Sequence, residues 1–134
     1  MAGQKVCLDT TFLVDLLRDV KSAVDKAYQI GNECELYTTS INAFELFIGA
    51  YRSRKPKRIF DVEEILNDLI LLSINKKEAE ESAKIFTELM EKGGIIDIRD
   101  ALIAGCMLEN DCHNIVTRNI SHFTRISGIN ALTY

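Results

Sequence analysis

The chain has no tryptophan, one proline and only two histidines, His113 and His122. No Ser-His-Asp arrangement is suggested, and there is no Walker-type or G-x-G-x-x-G loop to cradle a nucleotide. No apolar run approaches the roughly 20 residues needed to span a bilayer, so no membrane segment is expected. The Met1–Lys5 start lacks the apolar stretch and cleavage site of a secretory signal, and a cytoplasmic protein is therefore expected. The four cysteines, Cys7, Cys34, Cys106 and Cys112, form no C-x-x-C pair, so zinc-binding spacing is absent. Cys7 and Cys106 fall in apolar segments and read as small core residues, and a cytosolic setting argues against disulfides. Positive charge is also short. Sixteen Lys and Arg against twenty Asp and Glu give a net charge of −4, the wrong sign for a protein that binds nucleic acid over its whole surface. The run Arg52–Arg58 supplies local positive charge, or is simply a solvated loop.

What is present is a globular composition, 47% hydrophobic and 27% charged over 134 residues. That is enough chain to bury a core, and one domain spanning 1–134 is expected. Val6-Cys7-Leu8 is a short apolar run suited to a buried strand, and Leu36–Thr39, Ile70–Ile74 and Asn114–Thr117 read as further strands. Between them lie segments of helical periodicity. One runs from Thr10 or Thr11 through Arg18 and another over Lys21–Ile30. A third follows Ser40, read as its N-cap, and Pro56 breaks it. Ile59–Leu69 and the amphipathic Lys76–Lys92 come next, the latter ended by Gly93-Gly94, and a last helix is capped by Asp97. Arg118–Thr124 reads as a loop or turn, and the tail from Ile126 adds a short edge strand. Strands alternating with helices predict an α/β fold: a three-layer sandwich with a central, mainly parallel sheet flanked by helices.

In open parallel sheets, ligands bind beyond the carboxyl ends of the strands. That rule selects Asp9 at the end of the first strand and Glu45 in the helix after the second. It also selects Asp97 and Asp100 at the start of the helix leading into the fourth strand, and Asn119 just after it. Each has an ordinary alternative: Asp9 or Asp97 as a helix cap, Glu45 as a paired carboxylate in an apolar helix. Asp15 and Asp111 read as surface residues or caps. Gathered in one pocket, several carboxylates would repel unless a cation joined them. Hard oxygen donors suit Mg²⁺ or Mn²⁺.

These residues stand in four segments whose order resembles the PIN domain family. Val6–Asp15 (VCLDTTFLVD) is similar to the opening motif. Ser40–Gly49 (SINAFELFIG) is similar to the second, Ile98–Ala104 (IRDALIA) to the third and Val116–Phe123 (VTRNISHF) to the fourth. The resemblance covers nearly the whole chain and is nearest to the VapC-type toxins of toxin–antitoxin pairs. It implies Mg²⁺- or Mn²⁺-dependent endoribonuclease activity, a homodimer and inhibition by a VapB-like antitoxin. It also implies that Asp9, Glu45 and Asp100 hold metal, with Asp97 as an additional catalytic acid. Thr10, Ser40 and Thr117 would be polar supports. Many PIN domains carry another aspartate in the fourth motif, where this chain has Asn119 and His122. RNA is the expected substrate, with Arg18, Arg118, Arg125 or the basic run holding flanking phosphates. A ribosomal-RNA-processing or quality-control nuclease and a non-catalytic RNA- or protein-binding module are the alternatives. Phe44, Phe47, Ile48, Ile59 and Phe60 could leave a face for a twin subunit, or belong to the core.

Overall fold

The computed structural model describes residues 3–134, so Met1 and Ala2 of the Met1–Lys5 stretch lie outside the described residues. Among these, five strands form one sheet in the order β3-β2-β1-β4-β5: β1 (Lys5–Leu8), β2 (Glu35–Thr39), β3 (Ile70–Leu72), β4 (Asn114–Val116) and β5 (Asn130–Leu132). Every pairing is parallel. The chain builds outward from β1 to β2 and β3, then returns to the other side of β1 for β4 and β5. The order reverses between β1 and β4, the place where open α/β sheets bind ligands at the carboxyl edge.

Helices cover both faces: α1 (Thr10–Leu17), α2 (Lys21–Gly31), α3 (Ser40–Ser53), α4 (Pro56–Asn67), α5 (Lys76–Glu91), α6 (Ile98–Glu109) and α7 (Ile120–Thr124). The pleat of the strands sorts the core into two halves. Val6, Leu8 and Val116 face Phe12, Leu13, Ala23, Leu46, Ala50 and Val62. Cys7 and Ile115 face the other way, toward Ile85, Ile103, Ala104, Met107 and Phe123. Alternate side chains point to opposite faces of a strand, so strands covered on both faces read as unbroken apolar runs. The expected three-layer sandwich is the observed architecture.

Local chemistry sets the helix boundaries. Pro56 occupies the first turn of α4, where its missing N–H costs nothing. Arg54, in the left-handed region at φ 58°, closes α3 before it. The basic run is thereby split between the end of one helix and the start of the next. Gly105 lets α6 lie directly on α5, since a Cβ there would sit 2.0 Å from Ser82 Oγ and 2.6 Å from the Ser82 backbone nitrogen.

Three local expectations need correction. The N-cap of α3 is Thr39 and not Ser40, because Thr39 keeps extended geometry at the end of β2 and its hydroxyl accepts from the Asn42 N–H. Residues 120–124 form a short helix, α7, and not a loop. Asp15 is not a surface residue: it is buried, and it pairs with Arg118 and Tyr134. Cys7, Cys106 and Cys112 are all buried thiols, and burial pushes Cys106 up to about 12 and Cys112 to about 11. Among the described residues no helix is long and apolar enough to cross a membrane.

Candidate active site

Asp9 follows β1 at the reversal point. Its backbone N–H extends the β1–β4 ladder to Val116 O at 3.0 Å, and its carbonyl accepts from Leu13 N to start α1. It occupies the N-cap position of α1, yet its side chain makes no cap hydrogen bond. The carboxylate is committed elsewhere. Oδ2 accepts from Thr117 Oγ1 at 2.6 Å and from Thr11 Oγ1 at 3.1 Å, and Oδ1 accepts from Asn42 Nδ2 at 3.1 Å. The residue is 5% exposed. A buried carboxylate is costly unless its oxygens are satisfied, and here neutral donors from three separate segments satisfy them.

Asn42 links this acid to the next. It is fully buried, and its Oδ1 accepts from the Thr39 N–H at 3.2 Å and the Thr39 hydroxyl at 2.7 Å. With the amide oxygen fixed, both amide hydrogens point at the site, one at Asp9 and one at Thr10 Oγ1, 3.0 Å away. Thr10 then donates to Glu45 Oε1 at 2.7 Å. Two acids, one at the end of β1 and one in α3, are therefore oriented by one asparagine.

The second half of the site comes from α6. Asp97 caps it, accepting from Arg99 N at 2.8 Å. The Arg99 side chain folds back onto the same carboxylate through Nε (3.2 Å) and Nη2 (3.0 Å), while Nη1 reaches Glu45 Oε2 at 3.2 Å. The Arg99 guanidinium holds the Asp97 carboxyl below its usual range, so Asp97 is a poor base. Asp100 is the opposite. Burial pushes its carboxyl up, and although the His122 imidazole opposes this, the charges of Asp9 and Asp97 raise it further. His122 Nδ1 lies 3.0 Å from Asp100 Oδ2. Asp9, Glu45, Asp97 and Asp100 are thus brought to one edge of the sheet, with Arg99 and His122 among them.

The PIN domain family matches the chain over residues 6–129. The chain belongs to this family. No protein of curated function matches it at the sequence level. Among solved structures, this PIN domain is similar to a chain of the VapBC2 complex from Rickettsia felis bound to a promoter DNA fragment. The TM-score is 0.88 and the identity 24%, over 98% of this chain and 99% of that one. It is also similar to a chain of DNA-bound VapBC from Salmonella typhimurium, with a TM-score of 0.85 and 26% identity over 97% and 98% of the two chains. A more distant likeness is to the Mycobacterium tuberculosis toxin VapC20, described as cleaving the sarcin–ricin loop. Its TM-score is 0.62 and its identity 11%, over 82% of this chain and 86% of that one.

Within the PIN domain, the remaining sequence-derived residues are placed as follows. Thr10 and Thr117 touch the acids directly, whereas Ser40 opens α3. Asn119 sits at the N-cap position of α7 and donates its backbone N–H to Thr117 Oγ1 at 3.0 Å. Arg118 is tied to Asp15, whose carboxyl is lowered first by the Tyr134 hydroxyl and then by Arg118. Arg18 lines a cavity of about 260 Å³ between α1, α3 and α4, with Arg58 and Asp61. Arg125 lines a separate cavity beside Glu81, Glu88 and Lys92. Sequence reasoning passed over Thr11, Asn42 and Arg99. Asn42 carried a signal, since Thr39 three residues before it has the spacing of a reciprocal cap.

Among the described residues, no three carboxylate, imidazole or thiol groups are grouped so as to hold one ion. The donor chemistry nevertheless fits a hard cation. Asp9 and Asp100 supply oxygen, and the Asp9 charge already raises Asp100. Mg²⁺ is commonly bound through one or two carboxylates with water and substrate phosphate filling the remaining positions.

Proposed function

We propose that this PIN domain is a divalent-metal-dependent endoribonuclease and the toxin half of a toxin–antitoxin pair. The observation that carries this reading is Asp100: a carboxyl pushed up by burial and by two neighbouring acids, beside an Asp9 whose orientation is fixed from three sides. Unfavourable like-charge proximity in a cleft is a mark of a functional site, and a cation would relieve it.

Asp9 and Asp100 would hold Mg²⁺ or Mn²⁺, with Glu45 as the third acid. Such an ion, when bound, would offset the negative charge of a scissile phosphate and lower the pKa of water at the site. This chain's own residues do the positioning. Thr11, Asn42 and Thr117 keep the Asp9 oxygens from rotating, and Thr10 and Asn42 carry that constraint to Glu45. His122 holds Asp100 from the solvent side. Asp97, held below its usual carboxyl range by Arg99, is poorly suited to accept a proton. Asp97, with its capping and Arg99 bonds, keeps the start of α6 and its charge in place. The products of hydrolysis are a phosphate-terminated strand and a hydroxyl-terminated one.

The toxin assignment is supported by the similarity to chains of VapBC complexes along nearly the full length of both partners. A VapB-like antitoxin is the corresponding partner. Phe44, Ile48 and Phe60 are exposed and offer a face for a second subunit, whereas Phe47 and Ile59 pack into the core. The test is cleavage of RNA by purified protein with Mn²⁺. Wild type should cut and Asp9→Asn should not; equal cutting by both would assign the activity to a contaminant and end the proposal.

A further inference from the structure

Arg99 occupies a place that its sequence position does not announce. It is the second residue of α6, and its guanidinium lies between acids from two different helices. Two of its nitrogens take both oxygens of Asp97, and a third takes Glu45 Oε2. The other Glu45 oxygen is occupied by the Thr10 hydroxyl. Both oxygens of Glu45 are thus engaged, one of them by a full positive charge. A planar guanidinium can span two carboxylates in this way, and a compact ammonium cannot do so with the same geometry. Asp9 and Asp100 are held differently: Asp9 by neutral hydroxyl and amide groups, Asp100 by an imidazole. The acids of the site therefore divide into an Asp9–Asp100 pair without a guanidinium and an Asp97–Glu45 pair bridged, and half compensated in charge, by Arg99.

We propose that Arg99 is a positioning residue that competes with divalent metal for Glu45 and so sets how tightly the ion is held. This rests on the metal-dependent reading above. An ion that draws on Glu45 has to share it with the adjacent Arg99 guanidinium, whose positive charge opposes the ion until it moves aside. Glu45 is then a ligand held in reserve, released when Arg99 turns to another anion, such as the phosphate of a bound strand. The Arg99 side chain is half exposed, so an anion from solvent can reach it.

The experiment is calorimetric titration of Mn²⁺ into the full chain, which needs no substrate and no turnover. Arg99→Gln should bind Mn²⁺ about tenfold more tightly than wild type, within the range of coupling between contacting charged groups. Removing any positive charge from an acidic cleft would also favour a cation, so the Glu45→Gln background is decisive. There, adding Arg99→Gln should change the affinity by less than about twofold, because the competed ligand is gone. Unchanged or weaker binding by Arg99→Gln would overturn the proposal. So would a tightening that persists undiminished with Glu45→Gln, since that is bulk electrostatics. Arg99→Met, uncharged with a similar stem, should reproduce the Gln result. Failure of the underlying reading looks different: wild type would then bind no Mn²⁺ at millimolar concentration, or would bind it equally well as Asp9→Asn.

Discussion

Replacing Thr117 by valine removes one hydroxyl and keeps the shape of the side chain. That hydroxyl is fully buried and has two clear duties: it donates to Asp9 Oδ2 at 2.6 Å and accepts from the Asn119 N–H at 3.0 Å. A hydrogen bond to a charged group contributes about 1.5–3 kcal/mol and one between neutral groups about 0.5–1.5 kcal/mol. The added methyl returns at most about 0.8 kcal/mol of apolar burial. Thr117→Val should therefore destabilise the fold by about 1–4 kcal/mol. With a urea slope near 2 kcal/mol per molar, the unfolding midpoint should fall by about 1 M at unchanged slope. Freed on one side, the Asp9 carboxylate loses its fixed orientation, and loss of such an outer partner typically costs about 10–100-fold in metal affinity or activity. Thr87→Val is the control, because Thr87 is exposed and its hydroxyl bonds only to carbonyls of its own helix. A midpoint shift below about 0.3 M for Thr117→Val, with cleavage unimpaired, would refute the reasoning that this hydroxyl orients the acid.

Three further outcomes follow from the same contacts. Asp100→Asn should raise the thermal midpoint of the metal-free protein at neutral pH while abolishing cleavage, because burial and its acidic neighbours disfavour the ionised side chain in the folded state; a lowered midpoint would contradict this. Tyr134→Phe should cost about 1–2 kcal/mol, since the phenol donates to Asp15 Oδ2 at 2.6 Å. Because Asp15 is held below its ordinary value when folded, that stability is present above the unfolded carboxylate pKa, near 4, and is lost as pH falls through the lower folded value. Urea midpoints measured downward from pH 5 should fall less steeply in Tyr134→Phe than in wild type. Gly105→Ala should cost about 3 kcal/mol or more, and Ser82→Ala should not rescue it, because the new Cβ would also meet the Ser82 backbone nitrogen at 2.6 Å and Cα at 2.8 Å; urea unfolding of the single and double variants checks this.

The order of elements was legible because strands buried on both faces leave unbroken apolar runs, as at Val6–Leu8, and the helices between them keep their period. The strand-end rule then picked out Asp9, Glu45, Asp97 and Asp100 from among twenty acidic residues. What the sequence does not show is which groups partner these acids. Asn42 lies in an apolar helix, and nothing local says that its amide faces Asp9, 33 positions away. Asp15 looked exposed because its neutralising partners, Arg118 and Tyr134, lie more than a hundred residues further on. Arg99 drew no attention as the second residue of a helix. Its reach to Glu45 depends on how α6 is set against α3, which is a property of the packed molecule. Cap residues were misplaced by one position at Ser40 because a β2 residue, Thr39, could also serve.

The donors that hold Asp9 are spread along the polypeptide. Thr11 is at hand almost at once, Asn42 comes later, and Thr117 arrives only with the loop after β4. During synthesis, the aspartate is therefore made early and armed late. A polypeptide interrupted anywhere before the fourth strand would carry the acid without its harness, and the strand against which Asp9 docks would be missing as well. For a protein proposed to cut the RNA of the cell that makes it, stalled or truncated products would be harmless, and the hazard would begin only once β1 and β4 had joined.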